Sequence, residues 1–160
     1  MMNIDLSHIN PIIKLTNPDQ VGIVVEDANS AALSFAKVFG ADPVEVLDWP
    51  AAGFDPESYY YGKPAHWKMR VGFFQIGNLQ WELIQPLEGP NIFTDFLKEH
   101  GPGLHHIRFT EPDFDQHAAA LQAAGIPMIS NGKGIHKVSR WAYFDTRAVL
   151  NGYLLEMRKL

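Results

Sequence analysis

Four polar side chains that can bind a metal ion occupy matching places in two parts of this sequence. Gln20 and His106 each stand at the start of a short apolar run, and Glu82 and Glu156 each stand within a later run. Amide oxygen, imidazole and carboxylate together suit a borderline or hard divalent ion: Zn, Co, Ni, Mn or Fe. A carbonyl bound to such an ion is polarised, so the proton on its α-carbon becomes more acidic. A nearby carboxylate can then remove that proton and return it.

An internal repeat positions these residues. After Gln20, the run Val21–Val25 is short, apolar and β-branched, which is typical of a strand, and helical spacing of apolar residues follows as far as Gly40. After His106 a second apolar run is followed by helical spacing as far as Gly125. Gly40 lies 20 residues after Gln20 and Gly125 lies 19 after His106. This agreement predicts two copies of one strand–helix unit.

Each half continues in three further predicted strands. In the first half the tight turn Gly77-Asn78 joins the last two of them. These strands are predicted over Val44–Leu47, Trp67–Ile76 and Leu79–Gln85, and then over Pro127–Ser130, Ser139–Phe144 and Gly152–Arg158. The fold class is therefore α+β, with two βαβββ modules. We expect an N-terminal extension over 1–17 and one domain over 18–160, divided into a first module (18–90), a linking helix (91–102) and a second module (103–160). The first module carries an aromatic insert over 48–66.

Side chains alternate between the two faces of a strand. Gln20, Glu82, His106 and Glu156 are each expected on the polar face of their strand, and a pseudo-twofold axis between the modules would let all four converge. The opposite faces are more uniformly apolar and should pack under the two repeat helices, through Val21, Ile23, Val25, Leu83, Ile107, Phe109, Tyr153, Leu155 and Met157.

Composition narrows the classes of function. The chain has no cysteine, which excludes disulfides and thiolate chemistry. Thirteen basic and 18 acidic residues give a net charge of −5 without any basic run, which argues against nucleic acid as a partner. No stretch reaches the roughly 20 apolar residues of a membrane span, and residues 1–10 lack a signal-peptide pattern. We therefore expect a cytoplasmic protein without a membrane partner.

Three segments carry a resemblance to a known family: Ile76-Gly77-Asn78, the run Glu82–Leu87, and the run Gly101–Ile107, which contains His105-His106. They resemble the vicinal oxygen chelate superfamily of glyoxalases, bleomycin resistance proteins and dioxygenases, and most of all methylmalonyl-CoA epimerase. The resemblance covers about residues 18–160. It implies paired βαβββ modules that form a curved mixed sheet with one divalent metal inside, and a homodimer.

The resemblance also implies residue roles. It places metal ligands at Gln20, Glu82, His106 and Glu156, with His106 rather than His105 as the ligand because His106 aligns with Gln20 in the repeat. The epimerases usually have His where this chain has Gln20, and the set Gln, Glu, His, Glu is similar to that of zinc-type glyoxalase I. The expected activity is that of an isomerase, with Glu156 as the first candidate acid–base group and Glu82 as the second.

Substrate contacts are expected around this centre. Arg70 and Arg108 are predicted to point into the cavity and bind a carboxylate or phosphate. Arg70 also falls where some epimerases have a second carboxylate, so Glu82 would have to replace it. Trp67 and Tyr143 are candidate wall residues for an acyl-CoA or a thiol adduct. Further aromatic residues of the insert region are candidates for the same wall: Trp49, Phe54, Tyr59, Tyr60 and Tyr61.

Two alternatives remain open on the sequence alone. The first is a glyoxalase I-like lactoylglutathione lyase, which the four-residue ligand set favours. The second is a metal-free small-molecule binding protein of the same fold, which Gln20, Arg70 and the aromatic insert favour. His105 is expected to be packed or solvated rather than functional, and the insert could equally be a satellite hydrophobic cluster or a dimer contact.

Overall fold

The structure, a computed structural model, describes residues 8–42, 45–52, 56–134 and 138–160. Within these ranges lie the helices α1 Ala28–Phe39, α2 Ile92–His100 and α3 Phe114–Ala123, and the strands β1 Pro18–Val24, β2 Glu45–Trp49, β3 Ser58–Tyr60, β4 Lys63–Pro64, β5 Lys68–Ile76, β6 Leu79–Glu88, β7 Gly103–Thr110, β8 Met128–Lys133, β9 Arg140–Phe144 and β10 Leu154–Lys159. Val44, Phe54 and the first seven residues of the predicted extension lie outside the described residues. None of the helices in these ranges is long and apolar enough to cross a bilayer.

All ten strands form one sheet, in the order β2-β5-β6-β1-β7-β10-β9-β8-β3-β4. β1 is parallel to β6 and β7 is parallel to β10, while β1 and β7 are antiparallel neighbours. On one side of the central β1–β7 pair lie the strands of the first module, and on the other side lie those of the second. In both modules the order outward from the centre is first, fourth, third and second strand of the βαβββ unit. The predicted fold class, two such modules in a curved mixed sheet, is confirmed.

The two faces of the sheet divide as the alternation of side chains predicts. On the convex face, α1 packs on Val25 and Leu83 of the first module, and α3 packs on Leu155 and Met157 of the second. The concave face carries a third apolar cluster, which includes Val24, Ile84 and Leu154 together with residues of α2. The polar residues of the central strands share this concave face with the third cluster.

Local sequence signals set the ends of the helices. The Asp27 side chain accepts a hydrogen bond of 2.6 Å from the Ser30 N–H at the start of α1, and Gly40 ends this helix with a φ of 63°. Both ends are predicted by the sequence. The Asn91 side chain accepts a 2.8 Å bond from the Thr94 N–H at the start of α2. This cap fixes the helix that packs beside the start of β7.

The aromatic insert contributes β3 and β4, which the sequence analysis did not predict. β3 pairs with β8, so an insert of the first module extends the edge of the second. Only residues 50–57 connect β2, at the opposite end of the strand order, to β3. The nine residue steps from Trp49 to Ser58 span about 32 Å at most, so the two ends of the sheet curl toward each other. Trp67 joins them, with ring centroids 5.8 Å from Trp49 and 6.1 Å from Trp141.

Candidate active site

The side chains of Gln20, Glu82, His106 and Glu156 meet on the concave face of the four central strands. Each residue comes from a different one of the adjacent strands β6, β1, β7 and β10. His106 Nε2 lies 3.1 Å from Glu156 Oε2, 3.6 Å from Glu82 Oε2 and 3.5 Å from Gln20 Oε1. All four side chains are buried. The structure therefore brings together the four residues that the repeat singled out.

Gln80 orients the amide of Gln20. The Gln20 Nε2 group donates a 2.7 Å hydrogen bond to Gln80 Oε1, which leaves Gln20 Oε1 directed toward His106. Arg108 donates to the same Gln80 oxygen over 3.4 Å. Gln80 lies two residues before Glu82 on the same face of β6 and pairs with Gln20 in the parallel register. That shared face is the only sequence signal that could have found it.

Gly22 makes room for the His106 ring. The two residues are partners in the antiparallel β1–β7 ladder, and a Cβ added to Gly22 would overlap the imidazole of His106. Any larger residue at this position would therefore displace the ring. The sequence signal was a single glycine inside an otherwise β-branched strand, a pattern that often marks a close approach of another group.

Two carboxylates are buried in this centre, and their burial is energetically costly. Burial raises the pKa of Glu82 to about 7, while His106 acts to lower it and Glu156 adds to the increase. Burial also holds the pKa of Tyr143 well above its ordinary value, and the charges of Glu156 and Glu82 act in the same direction. Tyr143 and Glu156 are register partners across β9 and β10. Glu82 therefore shares a buried environment with a second carboxylate and a tyrosine, and a cation bound there would favour its ionised form.

His105 lies directly behind His106. The Nδ1 atoms of the two imidazoles are 3.0 Å apart. His105 is buried against the rings of Phe93, Phe96 and Tyr143, at centroid distances of 4.9, 5.1 and 6.1 Å. Burial, aided by His106, holds the pKa of His105 well below its ordinary value, so its ring is neutral near pH 7.

A cavity of about 320 Å³ opens over the four residues. Its wall is largely aromatic, built by Trp49, Trp67, Phe73, Phe93, Trp141 and Tyr143. The buried Trp67 Nε1 has no hydrogen-bond partner within the described ranges. An indole N–H in a cavity wall is a donor available to an oxygen atom of a ligand. The predicted wall residues Trp67 and Tyr143 therefore line the cavity, as does Trp49.

Arg108 also lines the cavity, as predicted. Its Nε donates to Asp19 Oδ1 over 2.7 Å, and Arg158 lies beside the same carboxylate at 3.9 Å. Burial alone would lower the pKa of Arg108, but the charges of Glu156 and Asp19 outweigh it and the pKa is raised. Arg108 is therefore a fixed positive charge beside the two glutamates of the site.

The prediction that Arg70 points into the cavity is wrong. Met69 and Val71 on either side of it line the cavity, so strand alternation turns Arg70 to the convex face. There its Nε donates to Asp48 Oδ1 over 2.7 Å. The error is a shift of one residue in the strand, which moves a side chain to the other face.

The insert tyrosines also differ from expectation. The Tyr60 hydroxyl donates a hydrogen bond to Asp95 on α2, and none of Tyr59, Tyr60 and Tyr61 lines this cavity.

The donor atoms fit a divalent metal ion by their chemistry and their spacing. Two donors about 2.1 Å from one ion are roughly 3.0–3.5 Å apart, close to the three separations measured from His106 Nε2. Glu156 Oε2 is buried and has no hydrogen-bond partner among the described residues, so a cation could satisfy it. Among the described residues, however, no three histidine or acidic side chains by themselves form a metal cluster. The arrangement instead consists of three oxygen atoms, from Glu82, Glu156 and the Gln20 amide, that each approach His106 Nε2.

Comparison with known proteins agrees with this architecture. A family model described as the Glyoxalase/Bleomycin resistance protein/Dioxygenase superfamily matches residues 19–144. The uncharacterized protein YqjC of Bacillus subtilis is 34% identical over 97 residues, which are 56% of this chain and 64% of that protein. The mitochondrial methylmalonyl-CoA epimerase of mouse is 29% identical over 99 residues, which are 61% of this chain and 47% of that protein. The matched segments thus span about half to two thirds of these relatives.

A solved structure shares the fold over nearly the whole chain. The methylmalonyl-CoA epimerase of Mycobacterium tuberculosis superimposes with a TM-score of 0.66 at 20% sequence identity. The superposition covers 95% of this chain and 93% of that one. At this level of identity the likeness establishes a common fold.

Proposed function

This chain belongs to the Glyoxalase/Bleomycin resistance protein/Dioxygenase superfamily, and within it we propose a divalent-metal-dependent enzyme that transfers a proton at the carbon next to a carbonyl. The reaction class is that of an isomerase resembling methylmalonyl-CoA epimerase. The homodimer implied by the resemblance and the cytoplasmic location expected from the sequence remain predictions.

The observation that carries the proposal is the convergence of three oxygen donors on a fourth donor, His106 Nε2. Gln20, Glu82 and Glu156 each present an oxygen within 3.6 Å of that nitrogen. Oxygen lone pairs that face one another in a buried site repel unless a cation lies among them. Zn, Co, Ni, Mn or Fe held by these four residues would supply that charge and would polarise a bound carbonyl.

Glu156 is the proposed acid–base residue. Glu156 lines the cavity, and its buried Oε2 has no hydrogen-bond partner in the part of the chain that the structure describes, so the carboxylate has the capacity to accept a proton from a substrate carbon. Glu82 lies across His106 from it and is the candidate for the return of the proton. Arg108 places a positive charge beside both glutamates and opposes the effect of burial on the pKa of Glu82.

The substrate is proposed to be a small acyl group with an oxygen-bearing substituent. The aromatic wall would take the hydrocarbon part, and the Trp67 N–H would donate to an oxygen. Arg108 would hold a negative charge, and Tyr143 would contact the reacting end beside Glu156. An acyl-CoA such as methylmalonyl-CoA, which a related structure binds, or a thiol adduct satisfies this description.

A glyoxalase I-like lyase is a second candidate. Among the described residues of the cavity wall, the acids are Glu82 and Glu156, and both are proposed ligands. The concave face of β5 offers Met69, Val71 and Phe73, so it supplies no separate carboxylate for a two-base epimerase. A donor set of Gln, Glu, His and Glu with both carboxylates at the metal is the arrangement that the sequence resemblance associates with zinc-type glyoxalase I.

Solvent-deuterium exchange distinguishes these functions. The untagged protein, loaded with each of the five metals, is incubated in D₂O with methylmalonyl-CoA or with the hemithioacetal of methylglyoxal and glutathione. Deuterium in recovered methylmalonyl-CoA indicates an epimerase, whereas formation of lactoylglutathione indicates a lyase. We expect one of these reactions to require metal and to be at least about 100-fold slower in Glu156→Gln.

Glu111→Gln is the matched control for that variant. Glu111 is also a buried glutamate, but it contacts His117 and does not line the cavity. Its substitution should leave the rate unchanged. A reaction that proceeds equally without metal, or equally in Glu156→Gln, would refute the proposed mechanism. Binding of either compound without turnover would favour the metal-free binding protein.

A further inference from the structure

Arg158 lines the cavity but has no part in the reaction proposed above. Its Nε donates a 3.0 Å hydrogen bond to Thr110 Oγ1, and its side chain is 31% exposed. The two terminal nitrogens of the guanidinium form no hydrogen bond with any residue that the structure describes, since Asp19 Oδ2 is 3.9 Å from Nη2. Arg158 therefore brings donors to the cavity that a ligand can use.

The register of two parallel strands places Arg158 beside Arg108. In the β7–β10 pair, Arg108 lies opposite Glu156 and Arg158 lies opposite Thr110. Each arginine comes two residues after a proposed metal ligand on its own strand, His106 or Glu156. Both arginines therefore extend the concave polar face in the same direction. Two residues of a strand span about 7 Å, a separation that one small acyl compound can bridge.

The two arginines share one carboxylate. Asp19 Oδ1 accepts a 2.7 Å hydrogen bond from Arg108 Nε, and Asp19 Oδ2 faces Arg158. Within the described ranges, no other carboxylate lies within ion-pair distance of either guanidinium. A cation that is partly removed from water is stabilised by an anion beside it. A second anion, supplied by a ligand, would complete this pairing.

The available donors belong to Arg158 rather than to Arg108. Arg108 is held by protein groups, because its Nε donates to Asp19 and its Nη2 donates to Gln80 Oε1 over 3.4 Å. Arg158 is anchored through Nε alone, which leaves both terminal nitrogens to act together. Two parallel N–H groups of a guanidinium match the two oxygens of a carboxylate. A carboxylate is therefore the anion that this geometry fits.

We propose that Arg158, supported by the fixed charge of Arg108, forms a carboxylate site that selects substrates with a free carboxylate over neutral acyl compounds. The inference rests on the proposed function, which places the reacting carbonyl at the metal. With that metal bound, two arginines and a divalent ion stand against three carboxylates of the described residues, those of Asp19, Glu82 and Glu156. One positive charge is in excess, and one substrate carboxylate balances it.

Two pairs of compounds test the site without turnover. Methylmalonyl-CoA and propionyl-CoA differ in one free carboxylate, and S-methylglutathione and its dimethyl ester differ in two. Isothermal titration calorimetry measures the affinity of each compound for chelator-treated, desalted protein and for protein loaded with Zn. The result is the ratio of the two affinities within the pair that the protein binds more tightly.

We expect Arg158→Met to lower this ratio about 10-fold, because a charge-assisted contact to the carboxylate is lost. Arg158→Lys keeps the charge without the planar pair of N–H groups and should give an intermediate ratio. Arg70→Met is the matched control. It removes an arginine from the convex face, where Arg70 pairs with Asp48, and should leave the ratio unchanged.

Thr110→Val is a second, milder test. It removes the hydroxyl that holds Arg158 Nε but retains the charge. The affinity ratio should fall about two- to fivefold. This variant decides the proposal should Arg158→Met fail to fold.

The outcomes separate the carboxylate site from the proposed function. An unchanged ratio in folded Arg158→Met overturns the site, as does a wild type that binds no member of either pair. Equal weakening of both members of a pair would place Arg158 at a group that they share, such as a CoA phosphate, and also overturns the site. A wild type with the predicted ratios that neither binds metal nor exchanges the α-proton refutes the proposed function alone.

Discussion

The His106 ring owes its position to the absence of a side chain at Gly22. A Cβ at Gly22 would overlap the imidazole, whereas a Cβ at Gly103, also in a strand, would meet Phe96 at an ordinary 3.8 Å. Gly22→Ala should therefore displace the ring, destabilise the protein by about 1–3 kcal/mol and weaken metal binding more than about tenfold. Gly103→Ala should leave both properties close to those of the wild type. Urea unfolding and chelator competition measure the two effects.

One result would contradict the prediction for Gly22→Ala. An alanine in a strand is intrinsically favoured over glycine, so a site with spare room would make Gly22→Ala slightly stabilising. Unchanged metal affinity together with increased stability would show that the close approach of Gly22 and His106 does not contribute to metal binding.

At the residue scale, two patterns in the sequence predicted that Gln20, Glu82, His106 and Glu156 converge, while their role as metal ligands stays a prediction. Strand alternation placed each on a polar face, and the repeat made Gln20 the equivalent of His106 and Glu82 the equivalent of Glu156. Arg70 failed because an assignment shifted by one residue exchanges the two faces of a strand. Gln80 was missed as a positioning residue because its role depends on side-chain contacts between strands, which spacing along the chain does not encode.

At the scale of elements, Tyr60 attaches the insert strand β3 to helix α2. Its hydroxyl donates a 2.6 Å hydrogen bond to Asp95 Oδ2, and this bond, with burial in support, raises the pKa of Tyr60 to about 12. Tyr60→Phe should cost about 1–2 kcal/mol at pH 7. Because the folded pKa lies above the ordinary value of 10.0, the contribution is complete below pH 10 and disappears as the pH rises toward 12.

Urea unfolding of the wild type and of Tyr60→Phe from pH 7 to pH 11 checks this prediction. The difference in the free energy of unfolding should be constant up to about pH 9 and should narrow above pH 10. Tyr59→Phe is the matched control, because its hydroxyl lies 3.5 Å from the exposed Glu57. A difference that is independent of pH, or that matches the control, would assign the Tyr60 effect to packing instead.

The regular elements were predictable and the insert was not. The hairpin at Gly77-Asn78, the cap at Asp27 and the end of α1 at Gly40 are local signals, and each matches the structure. β3 and β4 have three and two residues, and the pairing of β3 with β8 joins parts of the chain about 70 residues apart. Such short segments form strands only because a partner is present, which a local pattern cannot show.

For the whole molecule, the proposed metal joins the two modules. Gln20 and Glu82 come from the first module, and His106 and Glu156 come from the second. Binding should therefore raise the midpoint of a single unfolding transition. At a free metal concentration of 100 times Kd the gain is about 2.7 kcal/mol, or roughly 5–10 °C in a chain of this size.

Differential scanning calorimetry with and without Zn or Co measures this shift, and His106→Ala should abolish it. Two transitions, of which only one responds to metal, would mean that the modules unfold separately.

The overall pairing of the modules could be predicted from the repeat, but the curl of the sheet could not. It depends on the short connection from β2 to β3 and on the contacts of Trp67, which are properties of the folded chain.

Metal content tests the central claim most directly. Untagged wild type, Glu82→Ala, His106→Ala and Arg70→Met are incubated with each of the five metals, desalted and analysed by plasma mass spectrometry. The account predicts about one ion per chain in the wild type and in Arg70→Met, whose side chain lies on the convex face, and loss of the ion in the two alanine variants. Full metal content in Glu82→Ala and His106→Ala, or none in the wild type, would contradict it.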